Sequence, residues 1–129
     1  MSTLLIALGG AAGTALRYGC TVGLGRMLGT AFPYGTLAVN VIGSFLLGVI
    51  AEAFSGATLG GTDVRLILGV GVMGGFTTYS SFNLELLRML EQGSVSRSCA
   101  YFAGTLLGCL LAGFAGLLLA RAFSGAPPG

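Results

Sequence analysis

Apolar side chains are concentrated in four long stretches of the chain, separated by short polar or glycine-rich breaks. The stretches cover approximately residues 3–24, 34–54, 65–88 and 98–122. Each is close to the roughly 20 residues that a helix needs to cross the hydrocarbon core of a bilayer. The pattern predicts an all-α membrane protein, with four transmembrane helices in one domain over residues 1–129 and a disordered tail over residues 123–129.

The composition agrees with a bilayer environment and argues against several classes of function. Charged residues make up 8% of the 129 residues, whereas a soluble domain carries roughly 25%. A net charge of +2 is too small for a nucleic-acid-binding surface, so we expect no nucleic-acid partner. Three cysteines without a CxxC motif indicate neither a disulfide framework nor a zinc site. The lack of histidine, of a nucleophile–base pair and of a phosphate-binding loop argues against an enzyme.

The arginines that flank the stretches give little information on the orientation of the chain. The first stretch follows no basic segment and precedes no convincing cleavage site, so we interpret it as a retained span. Four spans place Arg65 and Arg121 on one side of the membrane. Arg26, Arg88 and Arg97 then lie on the other side. Because loops rich in basic residues tend to stay in the cytoplasm, two against three is close to no bias. Either the orientation is weakly decided or the protein inserts both ways.

Two regular glycine spacings predict surfaces where helices pack closely. Gly9 and Gly13 are four residues apart, and the same spacing joins Gly104, Gly108 and Ala112. Small residues at this spacing let helix backbones approach each other inside a membrane. We expect both sets to line contacts between helices.

The third stretch contains the run Gly-Gly-Phe-Thr-Thr-Tyr-Ser-Ser-Phe, over residues 74–82. Paired glycines and consecutive hydroxyl residues are poor helix formers. At membrane depth, a broken helix is tolerated only inside protein or against a water-filled cavity, where its free backbone groups can bind ions. The run predicts that the third helix is broken in mid-membrane; the alternative is a continuous polar seam between helices.

The second stretch carries a polar stripe. Thr36, Asn40, Ser44 and Gly48 recur every four residues and therefore share one helix face. An amide this deep in an apolar stretch must find partners, because unpaired polar groups are costly there. Asn40 offers two donors to an anion or to a hydrated path. The alternative is that its amide clamps two helices together.

A weaker stripe lies on the fourth stretch, where Tyr101, Thr105 and Cys109 share one face. Their hydroxyl and thiol groups are hydrogen-bond donors. Together with the stripe on the second stretch, they suggest a donor-lined track between helices. The alternative for Tyr101 is that it anchors the helix at the membrane interface.

Three further charged residues, Arg17, Glu52 and Glu85, lie within the apolar stretches. Arg17 lies well inside the first stretch, where a charge is costly and is usually paired or functional. We favour a structural role in which Arg17 caps carbonyls or forms an ion pair; the alternative is that it reaches the membrane interface. Glu52 and Glu85 are expected near helix ends, where water reaches them.

At these residues the chain resembles the Fluc (CrcB-type) family of fluoride ion channels. The resemblance lies in the Gly-Gly-x-x-Gly-x-x-x-Arg-Tyr run over residues 9–18 and the Gly-Thr-x-x-x-Asn run over residues 35–40. It continues in the run over residues 74–82 and in the pair Tyr101 and Thr105. The order and spacing of these motifs cover nearly the whole chain.

The resemblance implies an antiparallel, dual-topology homodimer in the bacterial inner membrane, with two narrow pores and a structural Na⁺ at the dimer centre. It implies that backbone carbonyls of Gly74 and Thr77 hold the Na⁺. The fluoride path would then use, from both helical stripes and the third stretch, Thr36, Asn40, Ser44, Tyr79, Phe82, Tyr101, Thr105 and Cys109. Two positions depart from the family pattern: Tyr79 replaces a usual phenylalanine, and Cys109 stands where a hydroxyl is common.

The leading functional hypothesis is therefore a passive channel that exports fluoride and lowers its cytoplasmic concentration. The alternative is a small dual-topology, proton-coupled multidrug transporter. Such a transporter should carry a membrane-embedded glutamate in the first span and a tryptophan or tyrosine in a substrate pocket. The chain has no tryptophan, and its first stretch has no glutamate. A structural subunit without transport activity would need neither the two polar stripes nor a broken helix.

Overall fold

The structure is a computed structural model that describes residues 1–124, and most of this part of the chain is helical. This agrees with the prediction of an all-α membrane protein. The long helices are α1 (Ser2–Leu28), α2 (Tyr34–Ala53) and α5 (Val95–Ser124). Between α2 and α5 lie two short strands, β1 (Thr58–Leu59) and β2 (Thr62–Asp63), a π-helical segment (Leu66–Met73), and the helices α3 (Gly74–Phe76) and α4 (Tyr79–Glu91).

The last helix extends further than the sequence predicts. Residues 123 and 124, which were expected to begin the disordered tail, form the last residues of α5. Residues 125–129 of the predicted tail lie outside the described residues. Within residues 1–124, α2 and α5 are long and apolar enough to cross a membrane by length and composition.

The third apolar stretch is divided by an interruption at Thr77 and Thr78. Thr77 has φ −84° and ψ 159°, so its backbone is extended where a helix would require a negative ψ. Thr78 is also extended, and its hydroxyl accepts a hydrogen bond of 3.2 Å from the N–H of Ser81. This is the side-chain cap that threonine commonly provides at a helix start, so α4 begins anew after the interruption.

A short hairpin, which the sequence analysis did not predict, joins α2 to the third stretch. Gly60 and Gly61, with φ values of 55° and 76°, form the turn between β1 and β2. Glycine adopts positive φ without steric cost, and a two-residue turn of this hand matches the twist of the strands. Hydrogen bonds from Arg65 hold the pKa of the Asp63 carboxyl, just after the turn, below its usual range.

Glycines allow α1 to pack directly on the third stretch. A Cβ atom at Gly13 would collide with the carbonyl of Val72, and one at Gly75 would collide with the carbonyl of Gly10. A Cβ atom at Gly9 would lie 2.9 Å from the carbonyl oxygen of Ile67. The predicted packing surface at Gly9 and Gly13 is therefore confirmed, and the close approach holds the interruption against α1.

The helices α2 and α5 form the second close pair. A Cβ atom at Gly48 would collide with the carbonyl of Gly113, and Arg121 of α5 forms an ion pair of 2.9 Å with Glu52 of α2. Of the second predicted set, Gly108 packs against α2, because a Cβ atom there would lie 3.2 Å from Val41. The expected packing at Gly104 is wrong within this chain, because no atom lies within 4 Å of a Cβ placed there. The outer face of α5 is apolar and exposed, with Leu111 70% accessible, as suits contact with lipid or another subunit.

Candidate functional site

The interruption is held from one side by Asn40 of α2. The Asn40 Nδ2 donates to the carbonyl of Thr78 at 2.9 Å, and the N–H of Thr78 donates to the Asn40 Oδ1 at 2.7 Å. Both polar backbone groups of Thr78 are thus satisfied by one buried amide, which is the arrangement expected of a clamp between helices. Because an amide carries two N–H donors, Asn40 keeps a second one for another partner.

Arg17 holds the interruption from the other side. Its Nη1 lies 3.4 Å from the carbonyl oxygen of Thr77, a long hydrogen bond of the kind expected from a carbonyl-capping role. In a continuous helix the N–H of Thr78 would bond to the carbonyl of Gly74, four residues earlier. Since that N–H donates to Asn40, the Gly74 carbonyl loses its regular donor, and Gly74 itself is exposed. The interruption therefore leaves the carbonyl of an exposed residue, Gly74, without its regular helical donor.

A cavity of about 540 Å³, here called the central cavity, lies beside the interruption. It brings together six of the eight residues that the sequence analysis assigned to an ion path, from α2, α4 and α5. These are Asn40, Ser44, Tyr79, Phe82, Thr105 and Cys109. Thr77 and Thr78 also contribute to its wall.

The two aromatic residues of this set have different surroundings. Phe82 is 6% exposed, and its ring lies between those of Tyr79 and Tyr101, with centroid distances of 5.8 and 5.1 Å. Tyr79 is 78% exposed in the single chain. Because aromatic edges carry partial positive charge, rings beside a cavity can face an anion through their edges.

Thr105 supplies a hydroxyl without a partner. The residue is 8% exposed, and its Oγ1 makes no hydrogen bond within residues 1–124. A buried hydroxyl without a partner is costly, so such groups are rare and call for an explanation. Ser44, in contrast, donates to the carbonyl of Asn40 at 2.7 Å. Thr105 therefore lines the central cavity and carries a buried hydroxyl that no group of residues 1–124 uses.

The structure separates Thr36 and Tyr101 from the other six residues, because both bind the carboxylate of Glu85. The Thr36 hydroxyl donates to Glu85 Oε1 at 2.8 Å, and the Tyr101 hydroxyl donates to Glu85 Oε2 at 2.6 Å. Tyr101 is fully buried, so a role as an exposed interfacial anchor is wrong within this structure. Thr36 and Glu85 line a second cavity of about 290 Å³.

Sequence reasoning missed two participants in this region. Glu85 was expected to be reached by water near a helix end, yet it is half-buried and bonded to two hydroxyls. The sequence did contain a signal for this partial burial, because Glu85 is a single acidic residue flanked by leucines within an apolar stretch. Thr78 acts through its backbone, and nothing in its side chain indicated that Asn40 would bind it.

The fold and the site together define a class of protein. A helix interruption inside an apolar stretch, held by a buried amide and an arginine, lies beside a cavity lined by donors and aromatic rings. Membrane proteins use this arrangement where a polar solute or ion meets the protein within the bilayer. The class is therefore a small helical membrane protein with a polar site between its helices.

Comparison with known proteins identifies the family. The family described as CrcB-like protein, Camphor Resistance (CrcB), matches residues 4–117, and the chain belongs to this family. The chain is 55% identical over 116 residues to a fluoride-specific ion channel FluC of Sorangium cellulosum, covering 90% of this chain and 91% of that protein. It is 51% identical over 122 residues to a protein of the same name from Anaeromyxobacter dehalogenans, covering 95% and 97%. A third protein of that name, from Chelativorans, is 46% identical over 118 residues, covering 92% and 94%.

Proposed function

We propose that this membrane protein is a passive, fluoride-selective channel that exports fluoride from the cytoplasm across the bacterial inner membrane. The observation that carries this proposal is the chemistry of the central cavity. Its wall holds amide, hydroxyl and aromatic groups, and none of its described lining residues is Asp, Glu, Lys or Arg. Conduction requires binding that is strong enough for entry and weak enough for release, which neutral donors provide better than a fixed charge. The relatives carry the name of an ion channel, so the family is not one of enzymes.

The donors of the cavity suit a small anion that gives up strongly bound water. The second amide N–H of Asn40, the hydroxyl of Thr105 and the ring edges of Tyr79 and Phe82 are four donor groups on residues that line one cavity. Several hydrogen bonds made together offset the loss of hydration, whereas an isolated donor would not. The thiol of Cys109 adds a weaker donor than a hydroxyl would.

The assembly proposed for this function is an antiparallel homodimer of four-span subunits, with the third span broken in mid-membrane. Three observations support it. The near balance of flanking arginines favours insertion in both directions. Tyr79, although it belongs to the aromatic pair of the cavity wall, is 78% exposed in the single chain, and the outer face of α5 is apolar. A second subunit would cover these groups and complete the cavity wall, and the surrounding lipid would cover the remaining apolar surface.

The residues at the interruption fit a structural Na⁺ at the centre of such a dimer. Gly74 is exposed, and its carbonyl has lost its regular helical donor to the Asn40 clamp. The Thr77 carbonyl receives only a 3.4 Å contact from Arg17 and has a second lone pair. Two oxygens from each subunit would give four ligands around a two-fold axis, which suits a hard cation. The bound cation would join the two interruptions and offset the repulsion between their carbonyls.

The competing functions have weaker support. A proton-coupled multidrug transporter needs a titratable carboxylate in its substrate site, and the described lining of the central cavity has none. The names of the relatives give no support to that alternative. A structural subunit would gain nothing from an unpaired hydroxyl at Thr105.

Fluoride release from liposomes tests the proposal. Purified protein should dissipate a fluoride gradient when no proton gradient is present, because the central cavity offers donors without a titratable carboxylate. Protein-free liposomes are the control, and a fluoride electrode records the release. Release that requires a proton gradient, or chloride passing as readily as fluoride, would contradict a passive selective channel.

A further inference from the structure

The second cavity differs from the central one in the chemistry of its wall. Hydroxyl, amide and charged side chains contribute to its lining, among them Thr36, Glu85, Arg88 and Gln92. Its only charged members among the described residues are Glu85 and Arg88. Arg88 lines this cavity and not the central one.

The two cavities lie one helical turn apart on the same elements. Thr36 of the second cavity and Asn40 of the central cavity are four residues apart on α2. On α4, Phe82 of the central cavity and Glu85 of the second are three residues apart. Tyr101 connects them, because its ring packs on Phe82 and its hydroxyl bonds to Glu85. The two cavities therefore follow one another along α2 and α4, with the packed rings of Phe82 and Tyr101 between them. An anion that left the central cavity along α4 would meet Glu85 next.

The carboxylate of Glu85 poses an electrostatic problem for an anion on this route. The hydroxyls of Thr36 and Tyr101 donate to its two oxygens, but both are neutral groups and bring no compensating positive charge. Arg88 is exposed, lies three residues later on the same helix, and forms no ion pair with any acidic group of residues 1–124. Its charge stays available to the cavity. With Arg88 the two charges sum to zero, and without it the cavity would carry one negative charge.

We infer that Arg88 is the charge that keeps the second cavity open to anions, because it offsets Glu85 at the mouth of the permeation path. This inference rests on the proposed fluoride channel. Arg88 raises the local fluoride concentration from a distance and positions no ion by direct contact. Such an effect depends on ionic strength, since the screening length falls from about 30 Å at 0.01 M salt to about 3 Å at 1 M. In an antiparallel dimer one copy of Arg88 faces each side of the membrane, so the direction of insertion does not affect the test.

The experiment compares initial rates of fluoride release from liposomes at about 0.01 M and 1 M ionic strength. Arg88→Gln should lower the rate roughly threefold at low ionic strength and bring it close to wild type at high ionic strength. Arg88→Lys should keep the wild-type rate, because it keeps the charge. Arg88→Glu should lower the rate further than Arg88→Gln. The matched control is Arg97→Gln, which removes an exposed charge from the first turn of α5 at a residue that lines neither cavity.

Each result supports or overturns the inference. A wild-type rate for Arg88→Gln at low ionic strength overturns it, and so does an equal loss in Arg97→Gln, which would indicate a general surface potential. A loss that persists at 1 M salt, or an equal loss in Arg88→Lys, indicates a structural role and also overturns it. If Arg88→Gln fails to assemble, the release rates of Arg88→Glu and Arg88→Lys are compared instead, since they differ in the same charge. If the wild type releases no fluoride, the proposed channel itself is refuted. That result is distinct from any difference among the Arg88 variants.

Discussion

The unpaired hydroxyl of Thr105 gives a prediction in which stability and transport change in opposite directions. Thr105→Val replaces the hydroxyl by a methyl group of similar size at a site that is 8% exposed. No hydrogen bond within residues 1–124 is lost, because the Oγ1 has none. The substitution removes a buried polar group and keeps the packing. We therefore expect a more stable protein that conducts fluoride less well.

The size of both effects follows from the burial of this hydroxyl. A buried hydroxyl without a partner costs about 1–3 kcal/mol, so Thr105→Val should recover on the order of 1 kcal/mol. That corresponds to a rise of about 2–6 °C in apparent Tm for a chain of this size. If the hydroxyl donates to fluoride during passage, its loss should slow release about tenfold, since 1.4 kcal/mol is a factor of ten in rate.

The assays are thermal unfolding of the purified protein in detergent and fluoride release from liposomes. Thr105→Ser is the matched control, because it keeps the hydroxyl and removes only a methyl group. It should lose about 1 kcal/mol of stability and keep most of its transport rate. A marked fall in the Tm of Thr105→Val would show that the hydroxyl has a partner in the assembled protein. A wild-type release rate in Thr105→Val would refute the donor role.

Two further substitutions test the groups around the central cavity. Asn40→Asp should slow fluoride release by more than tenfold, because it places a carboxylate beside the Thr78 carbonyl and removes the amide donors. A release rate within twofold of wild type would show that the amide is not needed. Tyr79→Phe should keep release within about threefold of wild type, since the ring edge remains and only the hydroxyl is lost; complete loss of release in a well-assembled dimer would make that hydroxyl an obligatory donor.

Several features of the structure follow from local sequence alone. The helical content follows from the length of the apolar stretches, since a backbone in lipid must satisfy its own hydrogen bonds. The site of the interruption follows from the glycine pair and the hydroxyl run, which weaken a helix through neighbouring backbone groups. The stripe of Thr36, Asn40 and Ser44 follows from helical periodicity, which fixes which residues share a face. All of these properties depend on residues a few positions apart.

The tertiary structure decided which partners those faces meet. Asn40 and Thr78 are 38 residues apart, and Thr36 and Glu85 are 49 residues apart, so no local pattern joins them. Tyr101 and Thr105 share one face of α5, yet one hydroxyl is bound to Glu85 and the other has no partner within residues 1–124. Periodicity fixes the face of a helix but not its depth or rotation against its neighbours. The depth and the rotation of a helix are set by close contacts at glycines such as Gly13 and Gly48, where two backbones touch and leave no room for a side chain.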